Sequence, residues 1–236
     1  MSRRHNWLHR GTDELEHQEA IHLPPEPRPR HPTSRALHSH WNRLRGHHRA
    51  PHRRDLQPAS LGPILSNTFL LEERGDARVV YRLAGSGIFE IFQRELRGLD
   101  WLTLFEEESR PLAQDTAASA LSRAETSLLH ADGRTARHRT VPVEILILPL
   151  ARDPDAPARA VGSLVTCDRP YWLGAQPLIE LTALHAETSR APGDPGAPAP
   201  ESSSRSVLDM LDAGPIRRLR HLALYLGGRE AGDTDH

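Results

Sequence analysis

Three groups of residues in this sequence have the types from which chemistry is built. The first is Cys167, the only cysteine, with His138 and His185 as the imidazoles that would have to activate it. A thiol becomes a nucleophile only beside a base or cation that favours the thiolate. Cys167 closes an apolar run, AVGSLVTC at 160–167, and a cysteine so placed more often packs than reacts. The second group is Gly85-Ser86-Gly87. It lacks the flanking glycines of a nucleophile elbow and the third glycine of a dinucleotide loop. The third group is charged. Glu106, Glu107 and Glu108 have the look of an acid–base or metal site. They also open the longest helical pattern of the chain, where carboxylates stabilise the positive end of the helix dipole. His5, His9, His17, His22 and His31 are separated by steps of 4, 8, 5 and 9, which match neither one helix face nor the tight pairs of zinc sites. The expectation is a protein without catalysis and without a metal centre.

Composition limits what must hold these residues. Apolar residues make up 37% of the 236 positions, below the ~45–50% of an ordinary globular chain, so part of the chain lies outside any core. All 30 basic residues are Arg. Residues 1–54 carry eleven of them against five acids, and ten of the 15 His, so a basic arm precedes an acidic body. One cysteine rules out a disulfide framework. No run reaches the ~18 apolar residues of a membrane-spanning helix, and the N-terminus has no apolar signal core. A cytoplasmic protein is expected.

Residues 1–34, with LPPEPRPRHP at 23–32, are too rich in proline for a helix and read as a disordered basic arm. The folded domain is expected over 35–190. Leu37, Trp41 and Leu44 form one stripe of a helix capped by Ser34 and stopped by Gly46. The loop HHRAPHRR at 47–54 reads as a charged connector. A short helix over 55–65 follows. Apolar runs at 69–71 and 79–83 flank Arg74-Gly75-Asp76 and predict a hairpin. Helical patches follow at 88–92 and 101–105, then a helix over 106–124. Strands are expected at 126–131, 137–150 and 160–167, with a turn at Asp132-Gly133. Within the second, Val141, Val143, Ile145 and Ile147 alternate onto one face. A short helix is expected over 178–187 and a linker over 191–206. The segment 207–236 carries an amphipathic patch at 216–226, helical in pattern, with a strand at 221–226 as its alternative. The outcome is an α+β domain: a five-stranded antiparallel sheet with helices on one face, plus an N-terminal helix and the disordered arm.

Several short blocks, in order, resemble a family of compact bacterial single-domain PAS-like proteins. They are His40-Trp41 to Gly46, Pro51 to Pro58, Tyr81-Arg82-Leu83-Ala84-Gly85-Ser86, Arg94-Glu95-Leu96-Arg97-Gly98, Pro142-Val143-Glu144 with Leu148-Pro149-Leu150, Gly162, and Asp168 with Tyr171-Trp172-Leu173-Gly174 and Pro177-Leu178. The resemblance covers residues 37–190. Gln93 departs from it, standing where the family pattern implies Gly. The resemblance implies a PAS fold and a sensor without catalysis, which holds haem, flavin, a small metabolite or only a protein partner. Flavin photochemistry in light-sensing relatives needs a Cys on a helix after the first hairpin, and Cys167 is in a late strand. Haem needs an axial ligand, and residues 86–105 contain no His. Both cofactors are therefore unexpected.

The leading expectation is a PAS-type signalling module that binds a protein partner, with a small apolar metabolite as a further ligand. Its pocket would be lined by Tyr81, Phe89, Phe92, Trp101, Phe105, Leu121, Val143, Ile145 and Val165. The same residues would equally form a closed core. A homodimer is compatible with the C-terminal patch. One alternative is a nucleic-acid-associated regulator using the Arg/His arm, although the arm lacks interleaved aromatics and a recognition helix. The other is an enzyme centred on Cys167.

Overall fold

The sheet grows from strands whose alternating residues serve two opposite cores. In β4 (Thr140–Pro149), Val141, Val143, Ile145 and Ile147 turn to one face, while Leu146 and Leu148 turn to the other. Both faces are covered, so nearly every position of the strand is buried, as expected for a central strand. β1 (Thr68–Glu73), β2 (Val79–Ala84), β3 (Thr126–Thr135), β5 (Arg159–Thr166) and β6 (Leu178–Ser189) complete an antiparallel sheet of order β2-β1-β5-β4-β3-β6. The computed structural model describes residues 27–76 and 78–191, and the backbone of 217–219 and 222–224.

The inner face carries the helices between β2 and β3: α3 (Ser86–Phe92), 3-10 turns at Trp101–Leu104 and Glu107–Ser109, and α4 (Arg110–Ser122). α4 lays Ala113, Ala117, Ala120 and Leu121 on the sheet. These small side chains let its axis come close. The outer face carries α1 (Pro32–Arg45) and the short α2 (Pro58–Leu61). Leu37 and Trp41 of α1 are fully buried against Leu128, Leu146, Leu148 and Val161. The Trp41 indole N–H donates to the Pro149 carbonyl at 2.8 Å, which satisfies the polar end of an otherwise apolar anchor.

The α+β antiparallel architecture is the expected one, with five local corrections. The segment 178–187 is not a helix but most of β6, the sixth strand, paired along β3. No turn forms at Asp132-Gly133. β3 runs on to Thr135, and Gly133 packs against the Leu178 side chain, whose Cδ1 would have to move to admit a Cβ. α1 starts at Pro32 with His31 as its cap, whose Nδ1 accepts the Thr33 N–H at 3.2 Å. Ser34 is instead buried, bonded to Ser163 of β5 at 3.1 Å. The arm is ordered from Pro27 onward, and Pro27 and Pro29 are buried. In the C-terminal patch, β7 (Arg217–Leu219) and β8 (Leu222–Leu224) pair antiparallel; the helical reading does not hold there, and β8 lies within the alternative strand at 221–226. Residues 1–26 and most of the expected linker lie outside the described residues.

Candidate functional site

Seven of the nine expected pocket residues meet. Tyr81, Phe92, Trp101, Phe105, Leu121, Val143 and Ile145 belong to one buried cluster on the inner face, together with Phe69 and Ile88. The other two do not join it. α3 buries Ile88, Ile91 and Phe92 and so turns Phe89 outward, 45% exposed. Val165 pairs with Glu144 across β4 and β5 and lies on the opposite face. An even spacing from Val143 and Ile145 cannot be carried across to another strand without its register, which the sequence does not show.

The meeting residues touch one another. Ring centroids lie 4.9 Å apart for Trp101–Phe105, 5.7 Å for Tyr81–Trp101 and 6.0 Å for Phe69–Trp101. These are the separations of packed aromatic pairs. The Trp101 indole N–H donates to the Ala113 carbonyl at 2.9 Å. One polar atom in this core has no hydrogen-bond partner among the described residues, the fully buried Tyr81 hydroxyl. Burial pushes its ionisation well above the ordinary range, with Arg94 opposing and Asp100 adding to the shift. The Arg94 Nε is likewise buried and unpartnered.

On the outer face two buried carboxylates organise the sheet. Glu144 accepts the main-chain N–H groups of Arg30 at 2.6 Å and His31 at 3.1 Å. Glu72 of β1 accepts both Nε and Nη2 of Arg159 at 2.9 Å, with Arg74 at 3.6 Å. The basic loop 47–54 acts as a connector: Ala151 N–H donates to the Pro51 carbonyl, and His52 faces Asp153 at 3.6 Å.

Two further features gather at the end of β5. A cleft of about 500 Å³ opens between the start of α1, the residues before β1, α3 and the loop after β5. Glu90, Arg169, Asn67, Ser86, Thr33 and Thr166 are among its polar lining. The same loop contains Tyr171, 88% exposed, beside the buried Trp172. Arg139 holds the Tyr171 ring: its guanidinium carbon lies 5.4 Å from the ring centroid, and its Nη1 donates to the hydroxyl at 3.2 Å. The sequence places Tyr171 and Trp172 side by side, but does not show which of the two rings points outward. The cleft had no sequence signal, because its walls come from four separate segments. Cys167 lies one residue past β5 and is exposed. No hydrogen bond joins it to an imidazole among the described residues.

A protein-family model described as PAS domain matches residues 29–165, more than half of the chain. The chain belongs to the PAS domain family. No curated protein matches it. Among solved structures it is similar to a light-oxygen-voltage domain studied with a flavin analogue, at 15% identity and a TM-score of 0.38, over 48% of this chain and 85% of that one. It is also similar to the LOV protein of Rhodobacter sphaeroides, at 18% identity and a TM-score of 0.35, over 44% of this chain and 60% of that one.

The PAS family places the protein among sensory and signalling modules. Among the described residues no helix is long and apolar enough to cross a membrane, and no group of three His, Cys, Asp or Glu is arranged to hold a metal ion.

Proposed function

We propose that this PAS domain is a signalling module that acts by engaging a protein partner, without catalysis of its own. The observation that carries this reading is the Tyr171–Arg139 pair. A large exposed ring normally costs order when it is buried in an interface. Here the ring is already held by a guanidinium below it and a hydrogen bond at its tip. Tyr and Arg are also the residue types that dominate binding hot spots. The packed inner core supports the same reading, because recognition then falls to the surface. The test compares proteins co-purified from the native cells by wild-type and by Tyr171→Ala, after equal melting temperatures have been established. A partner lost from the Tyr171→Ala sample is the expected result. Identical captured sets would remove the proposal.

A second reading, a small ligand at the inner face, is favoured by the Tyr81 hydroxyl. A buried hydroxyl without a partner costs about 1–3 kcal/mol, and a bound polar atom would recover it. Native mass spectrometry and an absorption spectrum of the freshly purified protein decide this reading. A mass equal to the bare polypeptide, with no absorption beyond that of the aromatic residues, rejects it.

A further inference from the structure

The cleft at the end of β5 is separate from the aromatic core and unused by the function proposed above. Its volume of about 500 Å³ falls within the ~300–1,000 Å³ of small-molecule sites. Its walls are fixed by close backbone packing. A Cβ at Gly85 would overlap the carbonyls of Leu65 and Ser66, and one at Gly87 would come within 2.9 Å of the Asn67 amide nitrogen. The Gly85-Ser86-Gly87 motif therefore presses the start of α3 against the residues before β1, and it places Ser86 and Gly87 in the cleft wall.

Two opposite charges line this space. Glu90 comes from α3 and Arg169 from the loop after β5. Among the described residues the carboxylate of Glu90 and the guanidinium of Arg169 have neither a hydrogen bond nor an ion-pair partner, and they do not pair with each other. Elsewhere in the domain opposite charges that share a neighbourhood are joined, as in Arg159–Glu72 and Arg123–Asp115. Thr33 and Ser86 also line the cleft, and the buried Ile91 and Val165 supply an apolar patch.

We propose that this cleft binds a small zwitterion of the α-amino acid type. The ligand carboxylate pairs with Arg169, whose planar fork suits two carboxylate oxygens. The ligand ammonium pairs with Glu90, and an apolar side chain lies on Ile91 and Val165. A simple anion or a simple cation would satisfy only one wall and leave the other charge unpaired.

The test uses the full-length protein and the twenty proteinogenic L-amino acids as probes, first by thermal shift and then by calorimetry. The expected result is a melting-temperature rise with at least one apolar amino acid. The matching 2-hydroxy acid, which lacks the ammonium, and the matching amine, which lacks the carboxylate, should each bind at least about tenfold more weakly, the loss expected for one charge-assisted contact. Arg169→Ala and Glu90→Ala should each weaken binding by a similar factor while melting at the temperature of unliganded wild type, because both side chains are exposed. Binding equally strong for the 2-hydroxy acid and unchanged in Glu90→Ala would show an anion site only and overturn the proposal. So would the absence of any amino-acid effect, or an affinity indifferent to both variants. Tyr171→Ala should bind the probe like wild type, so failure here leaves the partner proposal standing.

Discussion

Glu144 and His31 are 113 positions apart, and the buried carboxylate of the first accepts the main-chain N–H of the second at 3.1 Å. The neighbouring N–H of Arg30 reaches the same carboxylate at 2.6 Å. A charged acceptor thus sits beneath the start of α1, where the helix dipole and free N–H groups favour it. This contact pins α1 to the outer face of the sheet. Glu144→Ala leaves two donors without their acceptor and should cost about 2–3 kcal/mol. Glu144→Gln keeps one acceptor oxygen and should cost less. Urea unfolding measures both, and hydrogen exchange should rise first in residues 30–45. An unchanged urea midpoint in Glu144→Ala would show that the latch contributes nothing.

Gly162 of β5 faces Phe69 of β1 across the sheet. A Cβ at this position would overlap the Phe69 ring and the Leu146 carbonyl. The ring has little room to retreat, since it is fully buried between Tyr81 and Trp101. Gly162→Ala should therefore destabilise by about 1–3 kcal/mol through overpacking, seen as a lowered melting temperature. A melting temperature at or above that of wild type would mean that the aromatic core is looser than its ring contacts indicate.

The sequence was most informative where one physical rule acted alone. The alternation of Val141, Val143, Ile145 and Ile147 announced β4, because a pleated strand repeats every two residues. It failed where two rules competed. In β6, which the sequence reads as a helix, Leu178 and Leu181 are three apart and both buried on the inner face. Register shifts between Arg134 and Thr135 and between His130 and Ala131 break the period of two there, and the result imitates a helical spacing. Asp132-Gly133 has turn composition, but Gly133 serves packing against Leu178. The aromatic cluster was legible from the density of Phe and Trp at 69–105. The cleft was not, since Thr33, Asn67, Glu90 and Arg169 are brought together only by the fold.

The stability of the domain should depend on two imidazoles of α1. Burial is the largest influence on both His31 and His40, and it lowers each below the ordinary value of 6.5. Arg35 lowers His31 further against the opposing pull of Glu144, and Arg43 lowers His40. The unfolded chain, whose imidazoles titrate near their ordinary value, binds more protons than the folded one as the pH falls. Their contribution is complete above the unfolded value and is lost as the pH falls through the folded values. Urea midpoints at about pH 7.5 should exceed those at about pH 5.5, and His40→Gln should flatten the difference. A midpoint that rises on acidification would contradict this assignment.

Cys167 provides a check on the catalytic alternative. Although the residue is exposed, desolvation by neighbouring atoms raises the pKa of its thiol above the ordinary value, Glu144 and Asp168 add to this, and Arg30 opposes it. The thiolate fraction at neutral pH is then smaller than in free cysteine. Alkylation by iodoacetamide should be slower than that of a free cysteine, and Cys167→Ser should keep the wild-type melting temperature and partner binding. Faster alkylation than the free amino acid would reopen the nucleophile reading.

Gln93 ends α3 in the left-handed conformation, at φ 51° and ψ 29°. Its N–H still donates to the Phe89 carbonyl, so the helix terminates in the geometry usually given to glycine. This is the position at which the family pattern implies Gly. A side chain in this region of backbone space costs about 1 kcal/mol relative to glycine. Against that, the Gln93 amide donates to the Glu90 carbonyl at 2.9 Å and more weakly to Gly174 at 3.4 Å. Both bonds are solvent-exposed, where water replaces them at little cost. The backbone term is the larger, so Gln93→Gly should raise stability by about 0.5–1 kcal/mol. Gln93→Val should lower it, because a β-branched side chain tolerates the left-handed region least. Paired thermal melts of the two variants decide the matter: a Gly variant less stable than wild type would mean that the amide bonds to α3 and to the 171–174 loop outweigh the backbone strain.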